Sequence, residues 1–149
     1  SPRTDHPRLP LKLPQTQPKG IFMKKLLFTL AILITTTSLP AFAGYLCSYT
    51  AYISNQNKYN SKGQSLASGV NQASAAAILR QNRADIYKFG LGSFGDTSDC
   101  YFGNVKNRGR IPALLNNGNI SKATIRQIVN GNPLLQVDVY STHIDVQPY

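Results

Sequence analysis

The stretch Gly44–Ser54, GYLCSYTAYIS, is the clearest indication of fold class in this chain. Alternate positions along it would place five residues on one face of a strand: Tyr45, Cys47, Tyr49, Ala51 and Ile53. Aromatic and β-branched residues in such an alternation are typical of a half-buried β-strand. We therefore predict a strand here, with one face directed into a core.

A second alternating stretch lies at the other end of the chain. In Leu134–Val146 the apolar Leu135, Val137 and Val139 alternate with mostly polar neighbours, which predicts one long C-terminal strand. Two shorter segments between the ends, Asp85–Phe89 and Ser98–Val105, have the composition of short strands.

Helical signals lie between these strands. The alanine-rich stretch Gln64–Ala84 predicts a helix with Leu66, Val70, Ala73, Ala77 and Ala84 near one face. A second helix is predicted over Lys122–Val129, where Ser121 is a good N-cap and Gly131 a stop signal. The short stretch Ile111–Leu115 indicates a helical turn with Pro112 at its first position.

The order β-α-β-β-α-β predicts a small single α+β domain over residues 44–149. Its sheet, antiparallel or mixed, would be packed by about two helices. Both cysteines of the chain, Cys47 and Cys100, belong to this region and are predicted to form one disulfide. That bond would connect the first strand to a later segment.

The N-terminal part of the chain predicts export. Met23–Lys25 form a short basic region, Leu26–Thr35 an apolar core, and Ala41-Phe42-Ala43 a small-x-small cleavage site. The apolar core is shorter than the roughly 20 residues of a membrane span. We therefore interpret residues 23–43 as a cleaved signal peptide rather than an anchor. This predicts a periplasmic or secreted protein with no transmembrane span after cleavage.

Residues 1–22 precede this signal and are rich in proline, without hydrophobic periodicity. Such a segment cannot pack a core. We interpret it as a non-native upstream extension or a disordered one, and we exclude it from the fold.

The charge of the predicted domain favours anionic partners. It contains ten lysines and arginines against five aspartates, and there is no glutamate anywhere in the chain. A net positive domain is attracted to lipid headgroups, acidic glycans and nucleic acids. The cluster Lys106, Arg108 and Arg110 follows two aromatic residues and is a candidate anion-binding site. The alternative interpretation is a solvated basic loop.

The stretch Gly90–Gly95 matches the pattern G-x-G-x-x-G. A dinucleotide site also needs a helix that opens at the third glycine and an acidic residue about 20 positions later, and neither is indicated here. We predict a loop and no nucleotide cofactor. Asp96 and Asp99 are too few carboxylates for a calcium site, so no metal is expected and turn capping explains them equally well.

His143 is the only histidine of the predicted domain, and Asp145 follows two positions later. Side chains two apart on a strand stand in a row, which does not suit a catalytic triad. We assign no catalytic residue and no cofactor. The interpretation is an exported binding protein, envelope-associated or an inhibitor or immunity protein, whose partner is a protein or an anionic envelope component. The alternative is a small secreted hydrolase or ribonuclease-like enzyme that uses His143 with Asp145.

Overall fold

Three antiparallel strands form one sheet in the computed structural model, which describes residues 43–149. The strands are β1 (Tyr45–Tyr52), β2 (Leu134–Tyr140) and β3 (Ile144–Pro148), in the order β1-β2-β3. The predicted extension and, except for Ala43, the predicted signal peptide lie outside the described residues.

One face of the sheet forms the floor of the hydrophobic core. The buried side chains of this face alternate along the strands: Tyr49, Ala51, Leu135, Val137, Val139, Ile144 and Val146. The helices supply most of the rest of the core from the same side, together with the loop residues Ile53 and Phe102. The opposite face carries polar residues such as Thr50, Gln136 and Asp138, and they are partly exposed.

The C-terminal stretch is a hairpin, so the prediction of one long strand was wrong. The backbone N–H of Tyr140 donates to the carbonyl of His143 at 2.9 Å and closes the turn between β2 and β3. The buried positions are odd-numbered up to Val139 and even-numbered from Ile144. A continuous strand would place these two sets on opposite faces, and the turn brings them back to one face.

Helix α1 (Gln72–Ala84) begins eight residues later than predicted. The side chain of Asn71 accepts a hydrogen bond from the backbone N–H of Ser74 and caps its first turn. The predicted face through Leu66 and Val70 is therefore wrong. The buried apolar side chains of α1 are Ala75, Ala76, Ile78 and Leu79.

The segment Asp85–Phe89 continues α1 as one π-helical turn, so the predicted short strand here was wrong. The segment contains β-forming side chains, but its context favours a helix. Gln81 of α1 donates a hydrogen bond to the buried Asp85 one turn later, at 2.7 Å. Gly90, with φ of 66°, ends the turn.

Three further helices complete the layer: α2 (Val105–Arg108), α3 (Ile111–Asn116) and α4 (Lys122–Asn130). The predicted helical turn and the second predicted helix are confirmed, including the Ser121 cap on the N–H of Thr124. The layer thus contains two longer and two short α-helices.

The predicted strand at Ser98–Val105 was wrong: residues 98–104 form a loop, and Val105 is the first residue of α2. Asp99 accepts hydrogen bonds from the backbone N–H groups of Tyr101 and Phe102, which turns the chain and directs Phe102 into the core.

The predicted disulfide is confirmed. Cys47 of β1 is bonded to Cys100, with 6.2 Å between the Cα atoms. The loop that carries Cys100 covers the outer edge of β1. The backbone N–H of Thr97 donates to the carbonyl of Thr50 at 3.0 Å, and the N–H of Thr50 donates to the hydroxyl of Thr97 at 2.8 Å. On the other side of the sheet, the N–H of Val146 in β3 donates to the carbonyl of Asn119. The molecule is the predicted small α+β domain.

Candidate functional site

An interior polar network is centred on Arg83 of α1, whose side chain is fully buried. Its guanidinium donates to Asp99 at 3.3 Å and lies 3.4 Å from Asp96. It also donates to the carbonyl of Thr97 at 2.8 Å and packs 4.1 Å from the ring centre of Tyr49. These contacts join α1, β1 and the loop with Cys100, so Arg83 stabilises the fold and does not face solvent.

The carboxylates of Asp96 and Asp99 are occupied by hydrogen bonds within the protein. Asp96 accepts from the N–H groups of Tyr52 and Ser93, and Asp99 caps the turn described above. This geometry agrees with the turn-capping interpretation. Within residues 43–149, no three histidine, cysteine or acidic side chains come together as metal ligands.

Two tyrosines beside the network have shifted pKa values. Burial raises the pKa of Tyr49 far above its ordinary value, although the nearby Arg83 opposes the shift. Its hydroxyl has no hydrogen-bond partner among the described residues. Burial also raises the pKa of Tyr87, whose hydroxyl bonds to Asp99 at 2.9 Å. Both phenols remain protonated at neutral pH and are poorly suited to accept a proton.

His143 and Asp145, the residues of the alternative enzyme interpretation, are not hydrogen-bonded to each other and make other contacts. Nε2 of His143 lies 3.9 Å from Oδ1 of Asp145, which is beyond hydrogen-bond distance. That oxygen accepts two hydrogen bonds from Asn119, at 2.8 and 3.0 Å. The ring of His143 stacks on Tyr140 with 4.4 Å between centres. The arrangement holds the hairpin turn and gives the enzyme interpretation no geometric support.

The three residues of the predicted anion-binding cluster have different environments. Lys106 is exposed, whereas Arg108 is buried and donates to the carbonyls of Phe102 and Gly103. The guanidinium of Arg110 lies over the ring of Tyr101. Arg108 therefore shapes a loop, and anion binding by this cluster remains a prediction that rests on Lys106 and Arg110.

A basic groove runs beside the C-terminal half of α1. Its first part has a volume of about 310 Å³ and is lined by the cations Arg80, Lys88 and Arg108 together with the apolar Phe89 and Val105. The ion pairs of the described residues involve only Arg83 and His143, so Arg80 and Lys88 have no carboxylate partner there. We refer to this surface as the basic groove.

The basic groove continues into a more apolar second part of about 480 Å³. Tyr59 and Leu91 line this part, and Phe89 belongs to both. The only carboxylate in its wall is Asp85, which is 3% exposed and accepts hydrogen bonds from Asn57 and Gln81. The groove therefore combines unpaired cations with exposed apolar side chains.

The groove was not predicted from the sequence, because Arg80 and Lys88 are eight residues apart and were assigned to different elements. In a regular α-helix, Arg80 and Lys88 would be about 80° apart around the axis. The π turn advances less per residue, and both side chains line the same cleft. The signal in the sequence would have been Arg80 and Lys88, because these basic residues lie on either side of the point at which the prediction changed from helix to strand, between Ala84 and Asp85.

The predicted loop Gly90–Gly95 follows the π turn directly. Gly90 and Gly95 have φ angles of 66° and 100°, which favour glycine. No helix opens at Gly95, so the segment lacks the strand–turn–helix context of a dinucleotide site.

The chain matches no protein-family model, and comparisons with curated proteins and with solved structures found no similar protein. Among the helices of residues 43–149, none has the length and apolar character needed to cross a membrane.

Proposed function

We propose that this protein is an exported, non-catalytic binding protein whose partner is anionic, and that the basic groove is its contact surface. The observation that carries the proposal is the unequal burial of its charges. Three of the five aspartates of the predicted domain, Asp85, Asp96 and Asp99, have their side chains in the interior. Of the ten cations, only Arg83 and Arg108 are buried.

The remaining charges are divided between the two layers. The strands contain no lysine or arginine, and they contain the two other aspartates, Asp138 and Asp145. All the exposed cations lie in helices and loops. The helical side therefore attracts anions more strongly than the net charge of the domain indicates.

Binding of dextran sulfate, a soluble anionic polymer, tests this proposal. We expect salt-sensitive binding that is weakened about 25-fold in the double variant R80Q/K88Q, since each cation at an anionic surface contributes roughly fivefold. The control is K122Q/R126Q, which removes the same charge from exposed positions of α4.

Equal losses in the two double variants would show that net charge, and not the groove, causes binding. Absence of binding by the unmodified protein would overturn the proposal. The alternative, a hydrolase that uses His143, gains no support from the separation of its proposed pair.

A further inference from the structure

We propose that the anionic partner is a lipid surface, on which the loop Phe89–Gly95 inserts its apolar side chains while Arg80 and Lys88 contact lipid phosphates. This inference rests on the proposed function and specifies the partner of the same groove. We refer to Phe89–Gly95, FGLGSFG, as the apolar loop.

The apolar loop exposes three large side chains in seven residues. Phe94 is 102% exposed, Leu91 52% and Phe89 39%. Single exposed apolar residues are ordinary, but several on one short loop indicate a contact surface. The neighbouring groove adds two more, Tyr59 and Val105, which are 50% and 71% exposed.

The apolar loop is held in shape before any partner binds. At its start, the N–H of Leu91 donates to the carbonyl of Asp85 at 2.8 Å. At its end, the N–H of Ser93 donates to Asp96 at 2.7 Å, and the N–H of Asp96 returns a bond to Ser93. Asp96 is itself part of the Arg83 network. Little conformational entropy would therefore be lost when the loop enters a lipid surface.

The charges beside the loop are those that an anionic lipid surface attracts. The ammonium of Lys88 lies 5.0 Å from the ring centre of Phe89, and Arg80 lines the same groove. The nearest carboxylates along the chain, Asp85 and Asp96, have buried side chains that are hydrogen-bonded within the protein. Basic residues next to exposed aromatic ones are typical of segments that bind at a membrane interface.

The exposure of Phe94 favours lipid over a soluble acidic protein. A protein partner would need a pocket that matches this side chain, because binding energy at such interfaces is concentrated in well-packed anchors. A lipid surface accepts an apolar side chain without a preformed pocket. The contact proposed here is peripheral, through one loop and the two neighbouring cations.

The chain contains no tryptophan, so the variant F94W provides a single local reporter. We expect its fluorescence to shift to the blue with vesicles of phosphatidylglycerol and phosphatidylcholine. No shift is expected with pure phosphatidylcholine vesicles or with dextran sulfate. The readout concerns residue 94 alone, so binding through another part of the chain does not produce it.

Vesicle co-sedimentation gives the affinity for the same lipid mixture. We expect L91S/F94S to weaken binding to the anionic vesicles by about tenfold or more, since two apolar side chains no longer leave water. Its binding to dextran sulfate should stay within about twofold. The matched control is V70S, which changes an exposed apolar residue outside the loop and groove. The replaced side chains are exposed, and circular dichroism checks that each variant is folded.

The two proposals fail in different ways. Binding to dextran sulfate with no blue shift of F94W on anionic vesicles would overturn the lipid inference and leave the anionic groove in place, which is the result expected for an acidic protein partner. Vesicle binding that is unchanged in L91S/F94S would also overturn it. Absence of dextran sulfate binding by the unmodified protein would overturn the proposed function itself.

Discussion

Arg80 and Arg83 lie one turn apart on the same helix and have opposite environments. Arg83 is fully buried among Asp96, Asp99 and the ring of Tyr49, whereas Arg80 is exposed and lines the basic groove. Asp96 and Asp99 are buried and pair with Arg83, so they do not neutralise exposed cations such as Arg80. Burial of these carboxylates therefore stabilises the interior network and also leaves the groove positively charged.

Replacement of Arg83 should have the largest effect. In R83M, two buried carboxylates lose their cation, so we expect the free energy of unfolding to fall by about 3–5 kcal/mol. The matched variant R80M should change it by less than about 0.5 kcal/mol, as an exposed site does. Urea denaturation of both variants measures the difference, and similar stabilities would contradict the assignment of Arg83 to the interior.

Removal of the disulfide should follow in magnitude. The Cys47–Cys100 bond closes a loop across 53 sequence positions, and C47A/C100A should destabilise the protein by about 2–4 kcal/mol. Thermal unfolding under non-reducing conditions measures this loss. A reducing agent should lower the stability of the unmodified protein and leave the double variant unchanged. If both respond equally, the bond is not what stabilises the fold.

The third prediction concerns the energetic cost of burying the hydroxyl of Tyr49 beside the interior network. Its buried hydroxyl has no partner among the described residues, so Y49F should raise the free energy of unfolding by about 1 kcal/mol at pH 7. The folded pKa of Tyr49 is raised, and the unfolded chain therefore releases this proton first. The associated stability is complete below about pH 10 and is lost as the pH rises further, by up to roughly 1.4 kcal/mol per pH unit.

The advantage of Y49F should accordingly widen above pH 10. Denaturation midpoints measured between pH 8 and 11 follow this change. Both proteins also lose some stability through Tyr87, whose pKa is raised as well. A constant difference between the two proteins across this range would show that Tyr49 is not desolvated.

Replacement of His143 should have the smallest effect on stability. It tests whether the hairpin turn between β2 and β3 contributes to function. H143A loses a stacked contact with Tyr140, which is worth about 0.5 kcal/mol of stability, the lower end for an aromatic pair, because His143 is partly exposed. Binding to dextran sulfate should be unchanged, since the hairpin turn lies outside the groove. An activity that is abolished in folded H143A would support the hydrolase alternative and place the functional centre at the hairpin.

The fold was largely predictable where local signals agreed with tertiary packing. The alternation in β1, the Ser121 cap and the pairing of the two cysteines each determined a feature that the structure contains. The hairpin was missed, although the apolar positions change from odd to even numbers between Val139 and Ile144 in the sequence. The strand predicted at Asp85–Phe89 failed because its aromatic residues belong to the end of a helix.

The candidate site was less predictable, since it depends on which charges are buried. A count over residues 44–149 gives ten cations and five acids, but it does not show that Arg83 is enclosed by two aspartates while Arg80 is exposed. The predicted cluster of Lys106, Arg108 and Arg110 was chosen because these residues are close along the chain. In the structure, Arg108 is buried and donates hydrogen bonds to backbone carbonyls. The groove instead brings together Arg80 of α1 and Lys88 of the π turn, a segment for which the sequence predicted a strand.

The loop that covers the outer edge of β1 also has a consequence for solubility. An uncovered edge strand is a template on which a second chain can add, and natural proteins protect such edges. Here Thr97 and Asp96 occupy backbone groups of Thr50 and Tyr52, and Cys100 attaches the covering loop to the strand. Reduction should therefore favour aggregation as well as unfolding, which thioflavin fluorescence would detect. For a protein concentrated on a surface, the same bond that stabilises the monomer would limit its conversion into fibrils.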